Sequence, residues 1–173
     1  MLNTGQLKER VCAWNRDRGL TKLNTDLEMR MLSEELHEFW MAEDPAHMLQ
    51  ELCDFRFVSW GTKFKIRACK YESATQYLIW MQDLEAIEEY MLDKYHDMLN
   101  RLHEVFICTL FPEMHAYDTT FLNTIINKAM DIVITANEKK GSRTDSSGKV
   151  VKGERHVDPY DSIKEMLTQI KKE

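Results

Sequence analysis

Residues 34–38 read EELHE and residues 51–54 read ELCD, with twelve residues between the two stretches. Each stretch holds two carboxylates three positions apart: Glu35 with Glu38, and Glu51 with Asp54. On a helix, side chains at this spacing are neighbours on one face, with Cβ atoms about 5 to 6 Å apart. The two stretches therefore predict two helices, each of which presents a pair of like charges.

Asp44-Pro45 stands between the two stretches and predicts a sharp turn. Proline disfavours helical geometry at the residue before it but suits the first turn of a new helix, which Asp44 would cap. We expect helices over about 25–43, capped by Asn24 or Thr25, and over about 45–65. If they pack as an antiparallel hairpin, four negative charges converge, which is unfavourable without a cation or proton uptake. Oxygen ligands favour a hard ion such as Mg²⁺ or Mn²⁺.

An alternative is that these carboxylates are ordinary exposed residues, as most acidic residues at this spacing are. One such pair is weak support for a metal site. Two pairs on consecutive helices, joined by a tight turn and embedded in apolar residues, favour the metal site over this alternative. His37 and His47 lie nearby but form no H-E-x-x-H pair, so a zinc site is not expected.

The remainder of the chain also predicts helices, and the fold class is all-α. Only 6 glycines and 3 prolines occur in 173 residues, a balance that favours long helices over sheets with many turns. Further helices are expected over about 73–110, over about 119–138 and over about 160–170. The first of these could be interrupted once. We expect one domain over residues 1–173, with a long helical insertion at about 63–118 and a basic loop at about 139–159 that holds a short hairpin near Ser147-Gly148.

Charge and hydropathy exclude several classes of function. The formal net charge of -6 argues against a phosphate-backbone binder, so no nucleic-acid partner is expected. The longest apolar stretch, residues 105–111, is far shorter than the roughly 20 residues that cross a bilayer, so no membrane span is expected. The first ten residues contain charges and no apolar signal region, which predicts a cytoplasmic protein.

A local concentration of positive charge interrupts this acidic background. Residues 137–155 contain six cations against three acids. A polyphosphate between carboxylate-held metal and such a loop would have its charge neutralised from both sides. The alternative is a solubilising exposed loop. Gly148-Lys149 does not begin a Walker A site, because Val150 follows where Ser or Thr is required. Aromatic side chains that could stack on a base, or pack in the core instead, are Trp14 beside Asn15, Trp60 and Trp80.

The two acidic stretches resemble the E-E-x-x-E and E-x-x-D signature of the all-α nucleoside triphosphate pyrophosphohydrolases, the MazG-like and phosphoribosyl-ATP pyrophosphohydrolase-like superfamily. Residues 135–141, TANEKKG, and 148–154, GKVVKGE, look like the Asn-x-x-Lys and Gly-Lys-Val-x-Lys segments of small phage-type members. The resemblance implies a fold like a four-helix bundle in which Mg²⁺, or Mn²⁺ in its place, binds Glu35, Glu38, Glu51 and Asp54. It implies phosphate contacts from Asn137, Lys140, Lys149 and Lys152. The role of Glu34 is left open.

The same resemblance implies an activity and an assembly. A nucleoside or deoxynucleoside triphosphate would be hydrolysed at the α-phosphorus by an activated water, giving the monophosphate and pyrophosphate. One ion or two would assist, and Glu38 or Glu35 would accept the proton, since a carboxylate near like charges has a raised pKa. A homodimer or homotetramer is implied, in which the basic loop of one chain could complete a neighbour's site. A phage protein that acts in the host cytoplasm fits this resemblance.

Two other functions stay open at this point. One is a pyrophosphatase of the same fold that is specific for dUTP or dCTP. The other is a non-enzymatic helical adaptor, in which the acidic face of the helix over about 73–110 binds a basic partner and the four carboxylates are structural. Metal-dependent turnover separates the adaptor from both enzymes.

Overall fold

A computed structural model describes residues 2–112, 119–146, 148–151 and 157–172. Within these ranges the chain forms six α-helices and no strand, which confirms the all-α prediction. The helices are α1 (Thr4–Asp17), α2 (Thr25–Met41), α3 (Pro45–Glu72), α4 (Ala74–Thr109), α5 (Thr119–Glu138) and α6 (Tyr160–Ile170).

Helices α2 and α3 form the hairpin that the acidic stretches and the Asp44-Pro45 turn predict. The Asn24 side chain caps α2 by accepting a hydrogen bond from the amide of Leu27 at 3.1 Å. Asp44 caps α3 by accepting bonds from the amides of Ala46 at 2.8 Å and His47 at 3.0 Å. Pro45 is the first residue of α3, where its missing N–H leaves no helical bond unmade.

Helix α3 is the centre of the molecule and contacts each of the other five helices. Three consecutive residues, Glu51, Leu52 and Cys53, are buried, so most of the circumference of this helix is enclosed at that level. Leu49, Leu52 and Phe55 are inaccessible to solvent and form the middle of the core.

Two helices differ from the prediction. Helix α1 was not predicted, although Leu7, Val11 and Trp14 recur at helical spacing and are buried. Most of its other residues are polar, so its pattern is short and weak. Helix α3 ends at Glu72 and not near residue 65, because no glycine or proline lies between Gly61 and Glu72 and Ile66 still packs in the core. Helix α4 is continuous from Ala74 to Thr109, without the possible interruption.

The predicted insertion corresponds to the last turns of α3, helix α4 and the segment that follows it, of which residues 113–118 lie outside the described ranges. Leu84, Ile87 and Met91 pack inward from α4, while Asp83 and Glu85 are exposed on its outer side. A search of the described residues finds no helix with the length and apolar character of a membrane span.

The basic loop contains a small hairpin that lies on α2. The amide of Val151 donates to the carbonyl of Arg143 at 3.0 Å, and the amide of Asp145 donates to the carbonyl of Lys149 at 2.9 Å. Gly148 has φ +90°, and a Cβ there would lie 3.1 Å from a methyl group of Leu27. Ser147 and residues 152–156 are outside the described ranges.

Candidate metal centre and adjoining cleft

Three carboxylates from the two helices of the hairpin converge. Glu35 and Glu38 on α2 and Glu51 on α3 each offer an oxygen, and these oxygens all lie within 4.8 Å of one another. Glu51 is only 4% exposed, Glu35 is partly buried and Glu38 faces solvent. The group therefore extends from the core to the surface, and its outer member is open to a ligand.

The electrostatics of this group are unfavourable when no cation is present. Burial, together with the charges of Asp54 and Glu38, raises the pKa of Glu35 to about 8. Burial and the charges of Asp54, Glu35 and Glu38 raise the pKa of Glu51 to about 9, and a hydrogen bond with Glu38 adds to the effect. Protonation of Glu35 and Glu51 therefore relieves the repulsion within the group at neutral pH, as a bound cation would.

Asp54, the fourth predicted ligand, is not part of this group of three. It lies about one turn beyond Glu51 on α3, lines the same cleft as Glu35, and its charge acts on both Glu35 and Glu51. The donors are thus all carboxylates, which fit a hard divalent ion such as Mg²⁺ and do not fit a thiol- or imidazole-preferring metal.

A cleft begins at Glu35 and Asp54 and runs between α1, α2 and α3. It contains about 790 Å³ of space between atoms, counted to its open mouth. The C-terminal end of α5 and the hairpin of the basic loop form its remaining wall. This single cleft brings together five predicted site residues, which are Glu35, Asp54, Asn137, Lys140 and Lys149.

Lys149 joins the basic loop to the acidic helix. Its Nζ donates to Oε2 of Glu34 at 2.6 Å, which gives the leading Glu of the signature a contact. Burial lowers the pKa of Lys149, but the hydrogen bond to Glu34 and the charges of Glu34, Glu35 and Glu38 outweigh it and raise that pKa overall. The loop therefore places a firmly protonated ammonium group beside the carboxylates. Lys152 lies outside the described residues.

Asn137 is a buried residue near the end of α5. Its Nδ2 donates to the carbonyl of Val133 at 3.0 Å, and its own backbone carbonyl accepts a bond from the Trp14 indole at 2.9 Å. Trp14 also packs edge-on against Phe57, with ring centroids 5.1 Å apart. Helices α1, α3 and α5 are thereby tied together at one wall of the cleft.

The cleft also contains a buried ion pair that the sequence patterns did not indicate. Lys65 on α3 donates to Oε1 of Glu28 on α2 at 2.6 Å, and the Thr62 hydroxyl donates to Oε2 of Glu28 at 2.8 Å. The only signal was positional: Glu28 precedes Glu35 by seven residues and Lys65 follows Asp54 by eleven, so each lies on the same face as a predicted ligand.

The remaining candidates from the sequence lie elsewhere or have structural contacts. His47 places Nε2 at 3.2 Å from Oε1 of Glu51, consistent with a hydrogen-bonded residue beside the site, and His37 is exposed. Trp60 lies under the guanidinium of Arg56, 4.6 Å from ring centroid to Cζ, and does not line the cleft. Of the aromatic candidates, Trp14 is the one at the cleft wall, beside Asn15.

Comparison with known proteins finds no family model, no curated protein and no solved structure that matches this chain. The resemblance of the acidic stretches to the pyrophosphohydrolase signature therefore stays a prediction.

Proposed function

We propose that this protein is a Mg²⁺-dependent nucleoside triphosphate pyrophosphohydrolase, which converts a nucleoside or deoxynucleoside triphosphate to the monophosphate and pyrophosphate. The observation that carries the proposal is the convergence of Glu35, Glu38 and Glu51, because Glu35 also lines a cleft together with Lys149. Carboxylates and ammonium groups at one cleft match a ligand that is itself an anion bound to a cation.

The charges of the site explain why a polyphosphate would bind. Without a cation, the carboxylates would repel a polyphosphate. Lys140 and Lys149 could bind the phosphates, but they would leave the buried Glu51 without a partner of opposite charge. A divalent cation between the carboxylates and the phosphates offsets both. Glu35, Glu38, Glu51 and Asp54 would hold it, with Mn²⁺ as a substitute. Lys149 would exchange its bond to Glu34 for a phosphate oxygen.

The chain's own groups then have distinct tasks. When bound, the ion supplies a Lewis acid that offsets phosphate charge and acidifies a water molecule. Glu38 is the exposed member of the group and would accept the proton of the attacking water, while Glu35 is more enclosed. Lys140 and Lys149 reduce the negative charge that develops on the phosphates, and Asn137 contributes its amide to the same wall.

Pyrophosphate release from a panel of ribo- and deoxyribonucleoside triphosphates tests this function, with Mg²⁺, Mn²⁺ or a chelator. We expect turnover only with metal, and we expect Glu38→Gln to lower kcat by about 100-fold or more while the helical content stays unchanged. Glu85→Gln, an exposed acid on α4, is the matched control and should keep full activity.

A thermal shift provides an independent measurement. Mg²⁺ should raise the Tm of the wild type, and the increase should disappear when Glu51 and Asp54 are both changed to their amides. A folded protein that shows neither metal-dependent stabilisation nor turnover with any triphosphate would contradict the proposal and favour the helical adaptor.

A further inference from the structure

Much of the cleft lining is apolar and is formed by Trp14, Leu27, Met31, Phe57 and Val58. Besides Asn137, three buried polar residues line the same cleft: Asn15, Glu28 and Lys65. An apolar slot with a few buried polar groups is typical of a site for a flat ligand with a polar edge.

Asn15 has unused hydrogen-bonding capacity. Its side chain lines the cleft although the residue is only 2% exposed, and its Nδ2 donates to the carbonyl of Val11 at 2.9 Å. Across the described ranges no group donates to its Oδ1. Buried amides normally have their acceptors satisfied, so this oxygen is available to a donor on a ligand.

Lys65 has unused capacity of the opposite kind. An ammonium group carries three N–H donors, and within the described residues Lys65 uses one of them, on Oε1 of Glu28. Glu28 in turn holds the Thr62 hydroxyl, so the ammonium is locked in position. Because it is 7% exposed and lines the cleft, its remaining donors are directed to an acceptor that enters there.

Gly61 on α3 lies against the Asn15 side chain. A Cβ at this position would lie 3.0 Å from Nδ2 of Asn15, a tight contact that would require the Asn15 side chain to shift. Lys65 follows Gly61 by one helical turn on the same face. Asp54 precedes Gly61 by seven residues, about 10 Å along the helix. Asn15 and Lys65 both line the cleft, and a sugar and the α-phosphate would span the distance from Gly61 to the carboxylates.

We propose that Asn15 and Lys65 select the nucleobase, and that they favour a base in which a ring carbonyl stands next to a ring N–H. The carbonyl accepts from Lys65 and the N–H donates to Oδ1 of Asn15. Uracil, thymine, guanine and hypoxanthine carry this edge, whereas adenine and cytosine do not. The inference rests on the proposed function, since it takes the ligand to be a nucleotide whose phosphates lie at the carboxylates.

The test compares kcat/KM for uridine, guanosine, adenosine and cytidine triphosphates. We expect the uridine and guanosine substrates to be favoured by about tenfold or more over the other two, the ratio for one buried hydrogen bond. Asn15→Leu, similar in shape, should reduce this preference to about twofold, mainly through KM. Asn123→Leu, on the exposed side of α5, is the matched control and should keep the preference.

A second variant addresses Lys65 without leaving Glu28 as an unpaired buried charge. The double variant Glu28→Gln/Lys65→Met removes both charges together, and it should lose the preference while circular dichroism shows the helices intact. Equal kcat/KM for all four bases in the wild type, or an unchanged preference in Asn15→Leu, would overturn the inference even if the hydrolase is active.

Calorimetric binding of UMP and AMP in the presence of chelator separates the two proposals. Tighter binding of UMP that is lost in Asn15→Leu supports base selection, whether or not any triphosphate is hydrolysed. If that binding is found but no turnover occurs, the proposed hydrolase function fails and the base-selecting site stands. If neither nucleotide binds and there is turnover without base preference, the base-selecting site fails and the hydrolase stands.

Discussion

Glu51 has an unusual environment for a glutamate. It is a carboxyl group within the core, and its neighbours at the site are Glu35, Glu38 and Asp54 rather than cations. His47 contacts it from one turn earlier on α3. A core position of this kind is tolerated only if the carboxyl is protonated or a cation is bound. The charged carboxyl thus lowers the free energy of unfolding, and a bound cation would offset this loss.

The metal-free protein should lose stability as pH rises, because Glu35 and Glu51 have pKa values above the ordinary 4.5. The folded state therefore binds more protons than the unfolded state. The contribution of these protons to the free energy of unfolding is fully present below pH 4.5 and is lost as pH rises through about 8 and 9. Glu51→Gln should therefore raise Tm at pH 8 and change it little at pH 4.5. Thermal unfolding with chelator at both pH values measures this.

Glu85→Gln again serves as the control, because this acid is exposed on α4 and far in sequence from the group. Its Tm should follow the wild type at both pH values. An equal decrease in Tm at low and high pH for Glu51→Gln would contradict this prediction, because it would show that the substitution disturbs packing and does not remove a pH-dependent charge.

At the scale of helices, the site depends on how α2 meets α3. The carboxylates of the two helices converge only if α3 starts directly after its cap, Asp44, and folds back along α2. Asp44 holds this geometry from both sides: one oxygen caps α3, and the other accepts the Tyr160 hydroxyl at 2.6 Å from the start of α6. The turn, the cap and the last helix therefore support the position of Glu51.

Asp44→Ala should destabilise the protein by about 1 to 2 kcal/mol, because it removes the cap and leaves the Tyr160 hydroxyl without its acceptor. Asp44→Asn keeps a capping oxygen and should recover most of this loss. Tyr160→Phe should show the smaller effect of the hydroxyl alone. Urea unfolding of the three variants gives the comparison, and equal stability of Asp44→Ala and the wild type would show that the cap does not matter.

At the scale of the whole molecule, one chain supplies both walls of the cleft. Lys140 and Lys149 line the same cleft as Glu35 and Asp54, and Lys149 bonds to Glu34 of its own chain. A neighbouring chain is therefore not needed to bring the basic loop to the carboxylates. The expectation that the loop of one subunit completes the site of another stays a prediction.

Mixing two impaired variants tests whether the site is built within one chain. Glu38→Gln and Lys149→Ala, unfolded together and refolded, should show pyrophosphate release equal to the average of the two separate proteins. The physical reason is that no chain in the mixture has both the carboxylate and the ammonium of one cleft. Activity well above the average would mean that subunits exchange these loops, and refolded wild type gives the reference value.

The sequence by itself determined the all-helical class, the α2–α3 hairpin and the carboxylates that meet across it. These features are encoded locally, in helical spacing over a few residues and in the Asn24 and Asp44 caps, so short-range rules suffice to predict them. The same rules predicted neither α1, whose apolar pattern is short, nor the full length of α3, whose end is decided by packing.

Only the tertiary structure decided which polar residues share the cleft. Lys149 meets Glu34 across 115 positions of the chain, and Lys65 meets Glu28 across 37. A single buried polar residue on a helix, such as Asn15, makes no periodic pattern, and whether it lines a cleft depends on how closely two helices approach. That approach is permitted at Gly61 by the lack of a side chain and is driven by burial of the surrounding core.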